Sequence, residues 1–325
     1  MEKSLSPAPR NRLFLAALVI LLSSCATVPS DKVTAFSTGI TTAKSQASTA
    51  FAAVNEVTHE EIIDYAASQP HLLDENFYDV LDAAALAQTD ATFDALEKYS
   101  QSLAALTSPD ITKEYSSATV ELASQISATG AKVKQLGLTS KAPVLSPGVA
   151  TAFSELGNVL LKAKATADAK KTMRSADPTV ARILHSMVDS LDPIKGTVHA
   201  NWKKKRTAKD VEFMQETDPS AKRALAVAFA DMKSKEADQV RVLASLQRSF
   251  RALADAHHAM AQDSNFQVVA AIAIVKEEAN ETKDIYDRMK QGIASDTIQK
   301  PEKTAAPAKT GKNKDQNQTA ASPNE

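Results

Sequence analysis

The sequence contains little glycine, few aromatic residues and one cysteine. Glycine accounts for 8 of the 325 residues, and aromatic residues make up 5% of the chain. Turn pairs of the Asn-Gly or Asp-Gly type are absent, so β-hairpins are poorly supported. The single cysteine excludes an intrachain disulfide framework. The formal net charge is -1, which provides no general attraction to nucleic acid, and we expect no nucleic-acid partner.

Motifs that carry catalytic chemistry are also missing from the sequence. It contains no nucleophile elbow, phosphate-binding loop, paired-cysteine metal site or HExxH-type helix. Serine and carboxylate side chains are numerous, but they are spread along the chain as a helical surface requires. We therefore predict a protein without enzymatic activity, catalytic residues, cofactor or bound metal.

The residues that are present favour helices. Hydrophobic residues make up 43% and charged residues 24% of the chain, and its abundant alanine, lysine and glutamate lose little side-chain freedom in a helix. Apolar residues recur every three or four positions, which is typical of helices packed by a heptad seam. We predict an all-α fold, an elongated bundle of long antiparallel helices with heptad-like packing. The first predicted seam consists of Val33, Phe36, Ile40, Ala43, Ala47, Ala50, Val54 and Val57.

Proline marks several predicted helix starts. A serine or aspartate caps the first turn of a helix well, and proline suits the first helical position. Asp192-Pro193 is either a further start or a kink. The other pairs of this kind are Ser108-Pro109, Ser146-Pro147, Asp177-Pro178 and Asp218-Pro219.

The helical pattern divides into two regions. Residues 31–140 form an N-terminal helical region, residues 141–147 a linker and residues 148–294 a C-terminal helical region. The two regions are either separate domains or helices that pack across the linker into one body. Residues 295–325 are rich in Lys, Ala, Pro, Asn and Gln with almost no large apolar residue, so we expect a disordered tail.

The N-terminal segment has the features of an export signal. Basic residues at Lys3, Arg10 and Arg12 precede an apolar run from Leu13 to Leu22. That run is too short to span a bilayer, but it has the length of a signal-peptide core. It ends in the sequence Leu22-Ser23-Ser24-Cys25.

This ending resembles the lipobox of bacterial lipoproteins, in which an aliphatic residue and two small residues precede the cysteine that receives the lipid. The resemblance covers residues 1–25 only. It implies that residues 1–24 are a signal peptide and that Cys25, freed by cleavage, carries palmitate or similar acyl chains on its thiol and its new amino group. Two or three such chains hold a protein on a membrane persistently.

The resemblance also bears on location. In enterobacterial lipoproteins an Asp after the acylated cysteine retains the protein in the inner membrane, whereas this chain has Ala26. We therefore expect a lipid-anchored protein of the cell envelope, on the outer membrane facing the periplasm, with residues 25–30 as a short tether. The alternative is an ordinary secretory signal or an N-terminal membrane helix in which Cys25 is incidental.

The sharpest charge feature is the run from Trp202 through Lys203, Lys204 and Lys205 to Arg206. An aromatic residue beside four cations is typical of a contact with anionic lipid heads or cell-wall polymer. The favoured alternative is a solvated helix face with the tryptophan in the core, because acidic residues follow the run.

Two histidine patterns have the spacing of candidate metal sites. Glu56 with His59, and Asp255 with His257 and His258, have spacings found in carboxylate-bridged di-metal bundles. The heptad register directs Glu56 and His59 away from the seam, which argues against a metal. We expect His257 at a partly buried seam position, with its ring satisfied by a neighbour, and His258 on the surface.

One apolar run, Val268 to Val275, permits two interpretations. It is either a membrane-inserting element, as in helical pore-forming proteins, or part of a buried central helix. The second interpretation is favoured, since the run is too short to cross a bilayer as a helix.

The leading hypothesis from sequence is a non-enzymatic, lipid-anchored envelope lipoprotein of the scaffold or adaptor type, which binds a protein or cell-wall partner. One alternative is a membrane-active helical protein that forms pores or remodels membranes. Another is a helical-bundle metal-binding protein or enzyme.

Overall fold

The computed structural model describes residues 30–67, 71, 79–107, 113–140, 145, 147–163 and 168–299. These residues form seven α-helices and contain no β-strand, which confirms the all-α prediction. The helices are α1 (Ser30–Ala67), α2 (Ala83–Thr107), α3 (Lys113–Thr139), α4 (Pro147–Ala163), α5 (Ala169–Gln215), α6 (Pro219–Ala261) and α7 (Asn265–Gln299).

The described helices as far as Met289 belong to one compact unit, and the end of α7 from Lys290 belongs to a second. Within the first unit each helix from α1 to α6 packs against the next one along the chain, and α6 returns to pack against α1. Helices that precede and follow residues 141–147 therefore contact each other directly. The two helical regions recognised in the sequence share one core.

The α1 helix has the apolar seam that the spacing predicts. Phe36, Ile40 and Val54 are fully buried. The side chain of Val57 lies outside the described residues. The remaining seam residues, Val33, Ala43, Ala47 and Ala50, are buried as well, so this part of the seam is confirmed.

Two of the proline signals coincide with helix starts. The α4 helix begins at Pro147 and α6 at Pro219. Asp218 caps α6, because its carboxylate accepts a hydrogen bond from the backbone N–H of Ala221 at 3.1 Å. The Ser108-Pro109 pair lies outside the described residues.

The predicted start at Asp177-Pro178 is wrong. The α5 helix begins at Ala169 after its N-cap Asp168 and runs through Pro178 and Pro193. Proline inside a helix costs on the order of 3 kcal/mol, so tertiary contacts must outweigh the local preference. The carboxylate of Asp177 does not cap a helix, because it is hydrogen-bonded to two histidines of α6.

The α3 and α4 helices approach each other through glycine. A Cβ atom built at Gly130 of α3 would lie 2.6 Å from the carbonyl oxygen of Ala150 on α4. One built at Gly157 of α4 would lie 2.8 Å from the carbonyl oxygen of Ala123 on α3. Both distances are too short for a carbon atom, so the two backbones can lie this close only where both residues lack a side chain.

Contacts along α1 fix the directions of α6 and α7. Gly39 of α1 lies opposite Ile272 of α7, and the Gln46 amide donates a hydrogen bond to Thr282 at 2.9 Å. Residue numbers rise together, so α1 and α7 run parallel. The Gln46 amide also donates to Ser245 at 3.4 Å, whereas Val54 receives a hydrogen bond from the earlier residue Gln239. The α6 helix therefore runs antiparallel to α1.

The start of α1 and the turn between α5 and α6 consequently lie at opposite ends of α6. The α6 helix has 43 residues. At about 1.5 Å per residue it is about 65 Å long. A binding site at residues 216–218 or beside them would therefore lie far from Ser30.

Alanine should destabilise the protein at a closely packed helical glycine and stabilise it at a helical glycine with open space around it. Gly130→Ala is expected to lower the free energy of unfolding by about 1–3 kcal/mol, because its Cβ meets a backbone carbonyl that cannot rotate away. Gly196→Ala is the matched control. A Cβ there meets nothing within 4 Å, so it should raise the free energy of unfolding by about 0.5–1 kcal/mol. Urea denaturation followed by circular dichroism measures both, and equal effects would contradict the close α3–α4 contact.

Candidate functional site

The most exposed part of the described chain is the end of the α5–α6 hairpin. From Lys203 to Asp238 no residue is buried, although Trp202 and Gln239 on its two flanks are. We call residues 203–238 the hairpin end. It comprises the last turns of α5, the connection at residues 216–218 and the first half of α6. A helix pair that contributes nothing to the core is available to contact other molecules.

A buried hydrogen-bond chain secures the base of the hairpin end. The indole N–H of Trp202 donates to the Gln239 side-chain oxygen at 2.6 Å. The amide nitrogen of Gln239 donates in turn to the carbonyl of Val54 at 3.1 Å. The chain joins α5, α6 and α1, so the hairpin leaves the bundle in a defined direction. We call these three residues the base clamp.

Charged and aromatic contacts hold the two helices together beyond the base clamp. Glu236 of α6 forms an ion pair with Arg206 of α5, and its other oxygen lies 2.6 Å from Nδ1 of His199. Nearer the turn, the Lys222 ammonium lies 5.4 Å from the centre of the Phe213 ring. The ion pair of Arg206 with Glu236 is partly buried, and a cation beside an exposed aromatic ring contributes about 0.5–1 kcal/mol. These polar contacts add to the pairing of α5 and α6 beyond the last buried residues.

Large apolar side chains are exposed at the hairpin end. Met214 of α5 is 67% exposed and Val227 of α6 is 62% exposed. Val211 and Phe213 are exposed as well. We call these four residues the tip residues. Several large exposed apolar side chains on an otherwise polar protrusion are typical of an interaction surface.

The structure separates the five residues of the basic run. Trp202 is in the core and belongs to the base clamp. The Lys205 ammonium lies 4.8 Å from the centre of the Trp202 ring, and desolvation lowers the pKa of Lys205 to about 8. Arg206 is paired with Glu236. Of the five residues in the run, Lys203 and Lys204 alone are exposed. Their contact with an anionic surface stays a prediction.

A second polar cluster lies inside the bundle, around His257 of α6. Its Nδ1 is 2.9 Å from a carboxylate oxygen of Asp177, and its Nε2 is 2.8 Å from the Tyr99 hydroxyl. A carboxylate only accepts, so Nδ1 carries the proton and Nε2 accepts from tyrosine. The ring of Phe36 packs 5.4 Å from the imidazole. The cluster joins α1, α2, α5 and α6.

Burial determines the protonation of this cluster. Desolvation lowers the pKa of His257 and raises that of Tyr99. The hydrogen bond from His257 lowers the pKa of Asp177. The hydroxyl of Tyr99 belongs to a fully buried side chain, so a substrate cannot reach it. The cluster fastens four helices rather than forming a catalytic centre. His257 is satisfied by neighbours as expected, but it is fully rather than partly buried, and His258 is exposed as expected.

The metal patterns of the sequence are not brought together. His59 is exposed, and Glu56 is only partly buried. His257 and His258 both contact Asp177. In the part of the chain that the structure describes, no group of three His, Cys, Asp or Glu side chains is placed to hold a metal ion.

The run from Val268 to Val275 is divided between two faces of α7. Val268, Ile272 and Val275 are buried, whereas Val269 and Ile274 are exposed. The run is therefore a surface helix with one buried face, and not a central helix buried on all sides. Across the described ranges no helix is sufficiently long and apolar to cross a membrane.

The chain matches no protein family model, no curated protein and no solved structure. Cys25 and the rest of residues 1–29 lie outside the described residues, and the lipobox stays a prediction. Sequence reasoning also missed the tip residues as a set, because helical spacing alone does not reveal which face lacks a covering helix.

Mild acid should destabilise the protein through His257. Its pKa in the folded state lies below the ordinary value of 6.5, so below pH 6.5 the unfolded chain takes up a proton that the folded chain does not. The free energy of unfolding should fall from pH 6.5 towards about pH 5, by up to about 1.4 kcal/mol per pH unit. The neighbouring Asp177 contributes only at lower pH, because its pKa lies below 3.8.

The measurement is urea denaturation at a series of pH values. His257→Gln should reduce the slope of stability against pH, whatever its effect on stability at pH 8. His185→Gln changes an exposed histidine of α5 and should leave the slope as it is. If the slope of stability against pH is unchanged in His257→Gln, His257 is not the cause of the loss of stability in mild acid.

Proposed function

We propose that the protein is a non-enzymatic, lipid-anchored lipoprotein of the cell envelope, a scaffold or adaptor whose hairpin end binds a partner protein. One observation carries the proposal. Residues 203–238 contain no buried residue, yet they include the four exposed apolar tip residues. The sequence hypothesis allowed a protein or a cell-wall partner, and the exposed apolar side chains favour a protein.

The chemistry of the tip residues supports this choice of partner. Phenylalanine and methionine are enriched at the centres of protein interfaces, where apolar side chains leave water. Met214 has a flexible side chain that adapts to an irregular apolar groove. Exposed charged residues, among them Asp210 and Arg223, surround the tip residues and would form a polar rim. A hydrophilic cell-wall glycan offers no comparable apolar surface.

The position of the hairpin end suits an anchored adaptor. The proposed lipid site, Cys25, precedes the start of α1 at Ser30 by five residues. The turn between α5 and α6 lies at the far end of α6, about 65 Å away along that helix. An anchor at one end and a binding surface at the other would hold a partner at a set distance from the membrane.

The base clamp adds rigidity to this arrangement. Trp202 and Gln239 are buried and hydrogen-bonded to each other and to α1. A surface that is already ordered loses less conformational freedom when it binds. Binding by the hairpin end therefore requires no folding step.

Photo-crosslinking from Phe213 tests the binding surface. A benzoyl-phenylalanine at this position keeps the aromatic ring and should give one discrete adduct in cells that contain the native envelope. The same group at Leu138, which is highly exposed but lies on α3, is the matched control and should give none. Equal labelling at both positions, or no adduct from Phe213, argues against the proposal.

A charge placed among the tip residues should weaken binding. Val227→Asp is expected to reduce affinity for the crosslinked partner at least about tenfold, equivalent to about 1.4 kcal/mol, because a carboxylate would lose its hydration in the interface. The circular dichroism spectrum should not change, since Val227 is 62% exposed. Titration of the isolated partner measures the affinity. Full affinity in Val227→Asp would exclude the tip residues as the interface.

The anchor has a separate test. Cys25→Ser should abolish incorporation of labelled fatty acid and leave residues 1–24 attached, because no thiol remains to be acylated. Ser23→Ala keeps a small residue at its position and should be labelled and cleaved normally. Labelling of the Cys25→Ser chain would show that the lipid is attached elsewhere.

A further inference from the structure

The first residues of α1 and of α7 lie at the same end of the bundle. The two helices run parallel, with Gly39 opposite Ile272, so Ser30 is level with the turn between α6 and α7. Charged residues of α1 and of this turn also lie close together. The pKa of Asp263 in that turn is lowered by its bond to Lys170 and by the nearby Lys32. The chain therefore enters the bundle beside the first turn of α7.

An apolar surface is exposed at this same place. Phe266 is 83% exposed and Val269 is 66% exposed, and both lie in the first two turns of α7. Ala270, Ala273 and Ile274 continue the exposed face. The apolar character ends at Lys276, after which the exposed residues of α7 are mostly charged or polar. We call the exposed residues from Phe266 to Ile274 the α7 apolar face.

The length of the tether limits what can cover this face. Ser30 follows Cys25 by five positions, and a fully extended chain of five steps spans at most about 18 Å. With Cys25 acylated, the start of α7 is held close to the lipid headgroups. The nearest apolar phase is then the bilayer itself.

We propose that the α7 apolar face, led by Phe266 and Val269, inserts into the interfacial layer of the membrane that carries the anchor. This inference rests on the proposed lipidation of Cys25. Apolar side chains of interfacial helices penetrate about 5–10 Å, to the boundary between headgroups and acyl chains. Phe266 enters deepest because it is nearest the tether, and the charged residues from Lys276 onward stay in water.

The charges beside this face determine the kind of lipid required. Exposed cations at Lys171 and Arg174 are accompanied by exposed carboxylates at Asp31 and Asp168. Attraction and repulsion by anionic headgroups largely cancel. The contact is thus apolar in origin, and it forms on zwitterionic phosphatidylcholine and persists at high salt.

The consequence for the proposed adaptor is a fixed orientation. An anchor that consists only of acyl chains and a short tether permits the bundle to tilt freely. A second contact through Phe266 restricts that tilt. The hairpin end, at the far end of α6, then points away from the membrane surface.

Depth-dependent quenching tests the proposal on the mature full-length chain. Acylation uses the only native thiol, so Phe266→Cys provides one free site for an environment-sensitive nitrobenzoxadiazole label. In phosphatidylcholine vesicles, headgroup-labelled nitroxide lipid should quench this label at least twofold more than the same label at Val227→Cys. Val227 is similarly exposed but lies in the hairpin end, where no lipid contact is expected.

The outcomes separate this proposal from the adaptor proposal. Mass spectrometry of the same sample reports whether Cys25 is acylated. An acylated chain whose label at residue 266 is quenched no more than the label at residue 227 overturns the membrane contact alone. A blue shift without lipid quenching that grows with protein density identifies a second copy as the occupant and also overturns it. An unacylated chain overturns the proposed lipid anchor and, with it, the membrane contact, but leaves partner binding by the hairpin end to the crosslinking test.

Discussion

The burial of the α1 seam is the constraint on which the other features depend. Phe36, Ile40 and Val54 are fully buried on a helix that packs against α2 and α6, and a buried side chain of this size contributes about 1.5–3 kcal/mol. Because the seam recurs along most of α1, it also sets the directions of its neighbours. The α6 helix must run antiparallel to α1, and α7 parallel to it. Those directions place the chain entry at one end of α6 and the hairpin end at the other.

Buried polar groups make this packing specific. Apolar seams tolerate small shifts along the helix axis, whereas the buried hydrogen bonds at 2.6–3.1 Å do not. Tyr99 and Asp177 meet His257 from two other helices, and Gln239 connects Trp202 with the backbone of α1. A shift by one turn would leave these groups buried without partners, at a cost of about 1–3 kcal/mol each. The base of the hairpin end is therefore held in register by the same interactions that define the core.

The two exposed apolar surfaces occupy opposite ends of this framework and differ in their surroundings. The tip residues lie nearer the turn than the ion pair of Arg206 with Glu236, beyond the last buried residues. The α7 apolar face lies beside the chain entry, and its inner side is buried against α1 through Ile272. A polar setting far from Ser30 suits the proposed protein partner. An apolar helix face next to Ser30 suits a lipid surface if Cys25 is acylated as proposed.

The sequence by itself determined the helical class, most of the α1 seam and the starts of α4 and α6, because helix period and capping depend on residues within a few positions of one another. Only the tertiary structure decided that Asp177 bonds histidines instead of starting a helix, that Trp202 is buried while Lys203 is exposed, and that residues 203–238 lack any covering helix. The tertiary structure also decided which side of the helix from Val268 to Val275 meets α1, because the spacing of its apolar residues does not reveal this. Exposure depends on distant segments that cover a surface, and local spacing contains no information about them.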